Sequence, residues 1–173
     1  RTNINYRYNT NQNSIKKSNL TKTFASLWIV DNHTENYIKT RIDMFYKAGI
    51  TGIVLLAHIA NGAITETIEA LNFAKNYAIS KGMECNTIKF HFSFGSHDIY
   101  KSLVLSTLTA VQGITNVYVY NEANAFIEEN IADIVTFINV LKSLNYKVGM
   151  SCTSQGFRDL NVKESWQPIT EAL

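Results

Sequence analysis

The sequence predicts an α/β fold with a parallel sheet, and three observations lead to this class. From Phe24 onward, short apolar segments rich in β-branched and aromatic residues alternate with longer segments of helical period. The short segments are apolar throughout, which is typical of parallel strands with both faces covered. Glycine or asparagine follows each helical segment at a nearly constant spacing, so each unit consists of one strand and one helix.

The individual elements follow from these patterns. The predicted strands are 24–30, 50–57, 87–94, 115–120 and 147–152. The helices between them are predicted at about 34–48, 64–81, 98–112 and 128–144.

Each predicted helix ends at a residue that readily adopts the left-handed conformation. These residues are Gly49, Gly82, Gly113 and Asn145, with separations of 33, 31 and 32 residues. The regular separation indicates a (β/α) repeat of nearly constant size.

Two architectures accommodate such a repeat: a partial or incomplete TIM-type barrel of about five βα units, and an open doubly wound sheet. Because a closed barrel needs about 250 residues, residues 24–173 are expected to form a barrel-like domain that is a fragment of a larger barrel. Residues 1–23 are polar, basic and rich in asparagine, and they are predicted to be an arm or linker outside the core.

Composition and charge exclude several classes of function. The chain is 46% hydrophobic and 17% charged, which is enough apolar content for one packed domain. A net charge of +2 with scattered basic residues gives no electrostatic basis for binding nucleic acid. No apolar run approaches the roughly 20 residues of a membrane span. Cys85 and Cys152 lie far apart, and both are predicted to be free buried thiols.

Polar residues follow the predicted strands where a functional site is expected. The turn after the first strand, "VDNHTENY", contains no glycine, which disfavours nucleotide binding, and no cofactor is predicted. The carboxyl ends of parallel strands share one edge of the sheet, where active sites lie. The polar residues at these ends include Asp31, His58, Asn61, His97, Asp98, Asn121, Glu122, Asn124, Ser151 and Thr153.

The fourth predicted strand ends in "YVYNEAN", with an Asn-Glu pair at Asn121 and Glu122. This motif, on the fourth strand of a (β/α) series, resembles the clan A glycoside hydrolases, whose (β/α)8 barrels carry Asn-Glu at the end of strand four. The resemblance implies that Glu122 is the general acid/base and that the Asn121 amide binds the sugar hydroxyl next to the scissile bond. Desolvation at an apolar strand end would raise the pKa of such a glutamate and keep it protonated near neutral pH.

A retaining glycosidase also needs a second carboxylate about 5–5.5 Å from the first. The resemblance places that group after strand seven, beyond the five strands of this sequence. Asp31 and Asp98 are alternatives for an inverting mechanism, with a separation of about 6.5–9.5 Å. Capping of the following helix is the simpler interpretation of Asp98, and Asp31 either caps helix one or ends a strand.

Further substrate-binding candidates surround this pair. Trp28 and Tyr120 are candidates for stacking on sugar rings, although core packing is the favoured interpretation of both. Asp31, His58, His97 and Asn124 are candidates for hydrogen bonds to hydroxyl groups. A metal site built from His58, His91 and His97 is not predicted, because the first strand lacks the His-x-His of zinc-binding barrels and His91 lies within a strand.

The sequence therefore predicts a glycoside-hydrolase-like domain acting on β-linked polysaccharide or glycan. The alternative is a non-catalytic structural or carbohydrate-binding module of a surface or virion assembly. The expected partners are carbohydrate and a protein bound through residues 1–23 or the remainder of the barrel. An extracellular or surface location is favoured over an internal one.

Overall fold

The computed structural model describes residues 21–29, 34–60, 63–92, 97–121, 131–152 and 167–173. At several element ends, including residues 97–100 and 120–121, it describes the backbone alone.

Strands and helices alternate along the chain, as the sequence predicts. The strands are β1 (Phe24–Trp28), β2 (Gly52–Ala60), β3 (Ala63–Ile64), β4 (Glu84–Phe92), β5 (Asn116–Asn121) and β6 (Lys147–Cys152). The helices are α1 (Glu35–Lys47), α2 (Ile68–Ser80), α3 (His97–Ala110), α4 (Ile131–Ser143) and α5 (Gln167–Ala172). The α/β class and the (β/α) repeat are confirmed.

The sheet has the strand order β1-β2-β4-β5-β6, and all of these neighbours are parallel. This order follows the sequence without a reversal, whereas a doubly wound sheet reverses its order at a switch point. The strands thus have the sequential arrangement of a barrel segment. The short β3 pairs antiparallel with the end of β2.

The predicted helix stops are confirmed at all four positions. Gly49, Gly82, Gly113 and Asn145 have φ values of 80°, 78°, 83° and 67°. At the end of α1, the Ile50 amide donates to the Phe45 carbonyl at 3.0 Å, which satisfies a carbonyl that the helix leaves without a partner. Each left-handed residue therefore ends a helix and turns the chain toward the next strand.

The helix starts differ from the prediction. The hydroxyl of Thr34 caps α1 by accepting from the Tyr37 amide, so the cap is Thr34 and not Asp31. Thr67 caps α2 in the same way, accepting from the Ala70 amide at 3.1 Å. Asp98 is the second residue of α3 and does not occupy the capping position that was predicted for it.

One face of the sheet forms the main core with the helices, and we call it the helix-covered face. Its residues occupy aligned positions on neighbouring strands, as in the row Leu27, Leu55, Ile88 and Val117. These side chains cluster with buried residues of α1, α2, α3 and α4, including Ile42, Leu71, Val104 and Leu141. Amphipathic helices thus bury their apolar sides against this face.

The alternate residues of each strand form the opposite side of the sheet, which we call the open face. It comprises Ser26, Trp28, Val54, Leu56, His58, Thr87, Lys89, His91, Asn116 and Tyr118. Leu56 and Lys89 are half-buried, and Trp28 and Tyr118 are exposed. The strands were predicted to have both faces covered, but in the described part of the chain this side retains substantial exposure.

Aromatic rings cover two glycines of the strands. Gly52 is the register partner of Phe24, and a Cβ atom on Gly52 would lie 2.3 Å from the Phe24 ring. Gly149 is the register partner of Tyr118, and its Cβ atom would lie 2.3 Å from the Tyr118 ring. The missing side chain leaves the space that each ring occupies on the neighbouring strand.

The amino end of the open face holds a polar network. The side-chain Oδ1 of Asn86 accepts from the Thr87 hydroxyl and from the side-chain amide of Asn116, and the side-chain amide of Asn86 donates to Glu84. Lys22 pairs with Glu84 at 2.7 Å. The buried Thr87 and the half-buried Asn86 and Asn116 satisfy each other, whereas the Lys22–Glu84 pair lies toward solvent.

Candidate functional site

Three rings lie together on the open face near the carboxyl ends of β1, β2 and β4, and we call them the ring cluster: Trp28, His58 and His91. The Trp28 and His58 ring centroids are 5.8 Å apart with an interplanar angle of 86°. The two imidazoles are 4.9 Å apart, and Trp28 lies 6.5 Å from His91. The cluster forms because His58 and His91 are register partners on neighbouring strands.

A hairpin brings a carboxyl group to this cluster. Strand β3 returns antiparallel along β2, with Ile59 opposite Ile64 and Ala60 opposite Ala63. Because β4 already pairs with Ile59 from one side, β3 lies on the β1 side of β2, beyond the end of β1. Glu66 follows this hairpin and the bend at Thr65. Its side chain reaches Trp28, the last residue of β1.

Both carboxyl oxygens of Glu66 accept hydrogen bonds. Oε1 accepts from the Trp28 indole Nε1–H at 3.1 Å, and Oε2 accepts from the His58 backbone N–H at 2.7 Å. Glu66 is only 4% exposed. This one side chain therefore ties the end of β1 to β2.

Burial raises the pKa of Glu66 above its ordinary value, because removing the carboxylate from water disfavours its charge. Hydrogen bonds from the His58 backbone, its own backbone, Thr65 and Trp28 oppose this shift without cancelling it. Glu66 is thus a buried carboxyl group that the surrounding donors stabilise only in part.

Trp28 is held at its edge but is not buried. Its indole N–H is bound to Glu66, and its ring meets His58 nearly at right angles, yet 46% of the residue remains exposed. In this chain, Trp28 is therefore exposed on the open face and is not packed in the helix-covered core. An exposed indole with a fixed edge can stack on the apolar face of a ring-shaped ligand.

The strand that carries the Asn-Glu pair ends beside this cluster. Tyr120 is the register partner of His91, and Asn121 is the register partner of Phe92. Asn121 is the last residue of β5, which is the fourth strand in the order of the sheet, as predicted. The backbone of β5 therefore ends one residue beyond the level of the two imidazoles.

Several predicted site residues cannot be placed in this geometry. Glu122, Asn124 and Asp31 lie outside the described residues. His97 is the first residue of α3, and only its backbone is described, as is the case for Tyr120 and Asn121. The structure brings Trp28 and His58 together and leaves the roles of the others as predictions.

One residue of the site, Glu66, was missed in the sequence, and another, His91, was considered only as a metal ligand and rejected. His91 stands between Phe90 and Phe92, and alternation along β4 puts it on the open face while Phe90 is fully buried. Glu66 follows an Asn61-Gly62 dipeptide, which is a strong hairpin signal. Both residues could have been found from local sequence chemistry.

The arrangement supports hydrogen bonding and ring stacking. Across the described ranges, no group of three His, Cys, Asp or Glu side chains is arranged to hold a metal ion. Cys85 is free and buried, as predicted, and burial raises the pKa of its thiol to about 12. Cys152 ends β6, and its side chain is outside the description.

Searches against protein-family models, curated proteins and solved structures returned no match to this chain. None of the helices in the described segments is both long and apolar enough to cross a membrane.

Proposed function

We propose that this chain is a glycoside-hydrolase-like domain that binds β-linked glycan at the carboxyl ends of its strands, with Glu122 as the general acid/base. The observation that carries the proposal is the exposed Trp28 indole, fixed at its edge and located at the end of the sheet where the Asn-Glu strand also ends. Sugar rings present apolar C–H faces, and an exposed indole complements them.

The strand order supports the same proposal. Parallel (β/α) proteins place their reactive groups at the carboxyl ends of the strands. Trp28 is the last residue of β1, and Asn121 is the last residue of β5. His58 and His91 are register partners near the ends of β2 and β4. Glu122 is the next residue of the chain after Asn121, so its carboxyl group would lie at this edge.

In the proposed reaction, Glu122 donates its proton to the oxygen of the scissile glycosidic bond, and Asn121 binds the adjacent hydroxyl group. In a retaining reaction, a second carboxylate would attack the anomeric carbon as the glycosidic bond breaks, and water would then hydrolyse the glycosyl ester; in an inverting reaction, it would instead activate the water that attacks this carbon. Glu66 does not fit this second role, because both of its oxygens accept from interior N–H groups and it is 4% exposed. The second carboxylate would thus belong to another part of the site.

A non-catalytic glycan-binding module is the second candidate, and one observation favours it. Trp28 and Tyr118 lie on the open face in one cross-strand row, on the strands that flank the Leu56–Lys89 pair. Trp28 is 46% exposed and Tyr118 is 43% exposed. Two exposed rings on one surface suit the binding of an extended chain without cleavage.

One experiment tests both candidates. Binding of β-linked glucan, xylan and chitin oligosaccharides is measured by titration calorimetry, and cleavage is followed by mass spectrometry of the products. We expect Trp28→Ala to weaken binding about tenfold or more, as for the loss of a stacking platform. Tyr46→Ala is the matched control, because Tyr46 is 52% exposed on α1.

The outcomes separate the two functions. Cleavage that Glu122→Gln abolishes, with binding retained, supports the hydrolase. Binding that depends on Trp28 without any cleavage supports the module. If none of these oligosaccharides binds, or if Trp28→Ala binds like the wild type, the proposal is refuted.

A further inference from the structure

We infer that Glu66 is a positioning residue, which holds the Trp28 indole by its N–H edge so that the ring forms a rigid platform for a sugar ring. This inference rests on the proposed function for its ligand, but the hydrogen bond that carries it is independent of any ligand. Nothing in the Asn-Glu motif points to this residue, which enters the site only through the β2–β3 hairpin.

The geometry assigns this role because Glu66 joins two elements with one group. Its Oε1 atom accepts from the indole N–H of Trp28 in β1, and its Oε2 atom accepts from the backbone N–H of His58 in β2. An indole on the last residue of a strand would otherwise rotate between several side-chain conformations. The bond to Oε1 selects one of them before any ligand binds.

The residues on either side of Glu66 are themselves held in place by hydrogen bonds. The Thr65 amide donates to the His58 carbonyl at 2.9 Å, which extends the pairing of β2 and β3 up to the neighbour of Glu66. On its other side, Thr67 caps α2. The carboxyl group is therefore held between a strand pair and a helix start, as support for a rigid site requires.

A merely structural role would be filled at lower cost by a neutral acceptor. A buried carboxylate loses its hydration, and the raised pKa of Glu66 reports that cost. In its ionised form, Glu66 would in return accept N–H bonds about twice as strong as those to a neutral acceptor. The strong acceptor is directed at an indole that stays 46% exposed, where packing alone would not immobilise it.

The first arm of the test uses no glycan. The indole N–H signal of Trp28 is observed by ¹⁵N NMR and assigned with Trp28→Phe, since the chain contains two tryptophans. We expect Glu66→Ala to shift this signal and to accelerate its exchange with solvent about tenfold or more. Glu66→Gln keeps one carbonyl acceptor, so the exchange rate of its Trp28 indole N–H should lie between the rates of the wild type and of Glu66→Ala. Glu69→Ala is the control, because Glu69 is exposed on α2.

The second arm is a double-mutant cycle on glycan binding. Glu66→Ala should raise the Kd about tenfold in the wild-type background, which is the effect of losing one hydrogen bond to a charged acceptor. In a Trp28→Phe background, which lacks the indole N–H, it should have almost no effect. If Glu66→Ala fails to fold, Glu66→Gln is used in the same cycle, with a smaller expected change.

The two arms distinguish this inference from the proposed function. An indole signal that is unchanged in Glu66→Ala, or equal losses of affinity in both backgrounds, overturns the positioning role. An indole signal that changes as expected in a protein that binds none of the glycans retains the positioning of Trp28 by Glu66 and overturns the glycan function alone.

Discussion

The two faces of the sheet should respond differently to the same substitution, and β2 offers a matched pair. Leu55 and Leu56 are adjacent residues of the same strand, so replacing either by alanine changes strand propensity equally. Leu55 is fully buried on the helix-covered face, and Leu56 is half-buried on the open face between Trp28 and Lys89. The difference between the two variants therefore measures the difference between the faces.

The expected magnitudes follow from burial. Leu55→Ala removes a side chain from a closed core and leaves a cavity, which costs about 3 kcal/mol of unfolding free energy within a range of about 2–5 kcal/mol. Leu56→Ala should cost about 1 kcal/mol, because the side chain is partly in water and the space that it leaves opens to solvent. For a chain of this length, these values correspond to losses of about 6–12 °C and 2–4 °C in Tm.

The assay is urea unfolding followed by circular dichroism, with the midpoint compared at unchanged m-value. Equal losses of unfolding free energy in the two variants would refute the reasoning, because they would mean that Leu56 is as deeply covered in solution as Leu55. A Leu56→Ala loss above about 2 kcal/mol would mean the same.

Three further predictions concern particular groups. Since the pKa of Glu66 is raised from 4.5, the stability that it contributes is full below pH 4.5 and is lost as the pH rises through its raised pKa; Glu66→Gln should remove this dependence, and identical pH profiles of Tm in both proteins would contradict it. Gly52→Ala should lower the free energy of unfolding by about 1–3 kcal/mol through overpacking, and Gly149→Ala should lower it by less. The reason is that a Cβ atom on Gly52 would meet the Glu84 backbone oxygen at 3.1 Å in addition to the Phe24 ring, whereas the nearest atoms at Gly149 all belong to the Tyr118 ring. Chemical denaturation that ranks the two variants in the reverse order would count against this. Cys85, with a thiol pKa of about 12 and 4% exposure, should resist iodoacetamide at pH 8 until urea unfolds the chain; peptide mass spectrometry showing native labelling would disprove it.

Local chemistry explains why the repeat could be predicted so closely. A left-handed residue is required wherever a helix ends and the chain turns at once into a strand, and only glycine and asparagine fill that requirement at low cost. All four predicted stops have positive φ, and α1 and α4 end within two residues of their predicted ends. The predicted strands overlap β2, β4, β5 and β6 for the same reason, because their apolar runs follow these stops closely; β1 was predicted from its apolar run alone.

The hairpin was missed because its signal is short. A strand of two residues has no periodicity, and the segment after Asn61-Gly62 continues into an apolar pattern that was assigned to a helix from residue 64. The helix begins instead at Ile68, after the Thr67 cap. Residues 64–67 instead contain the end of β3, the bend at Thr65 and Glu66, and the Thr67 cap, so the error in the helix start concealed the residue that anchors Trp28.

The exposure of the open face could not be read from the strands either. Val54, Leu56 and Tyr118 look like core residues, because the segments that contain them are apolar on both sides of the pleat. The register shows that they share a face with His58, Lys89 and His91. Which apolar residues face the helices is fixed by strand pairing, and single-strand composition does not contain that information.

The open face has opposite characters at its two ends, and the contrast bears on function. At the amino end, Asn86, Thr87 and Asn116 satisfy one another, and Thr87 is only 7% exposed, so this end stabilises the sheet. At the carboxyl end, the hairpin supplies a buried carboxylate to hold Trp28, yet the indole stays 46% exposed. Burying a charge to fix an exposed ring adds little to folding stability. If a glycan binds here as proposed, the Trp28 ring is already ordered before binding, and this lowers the entropy cost of association.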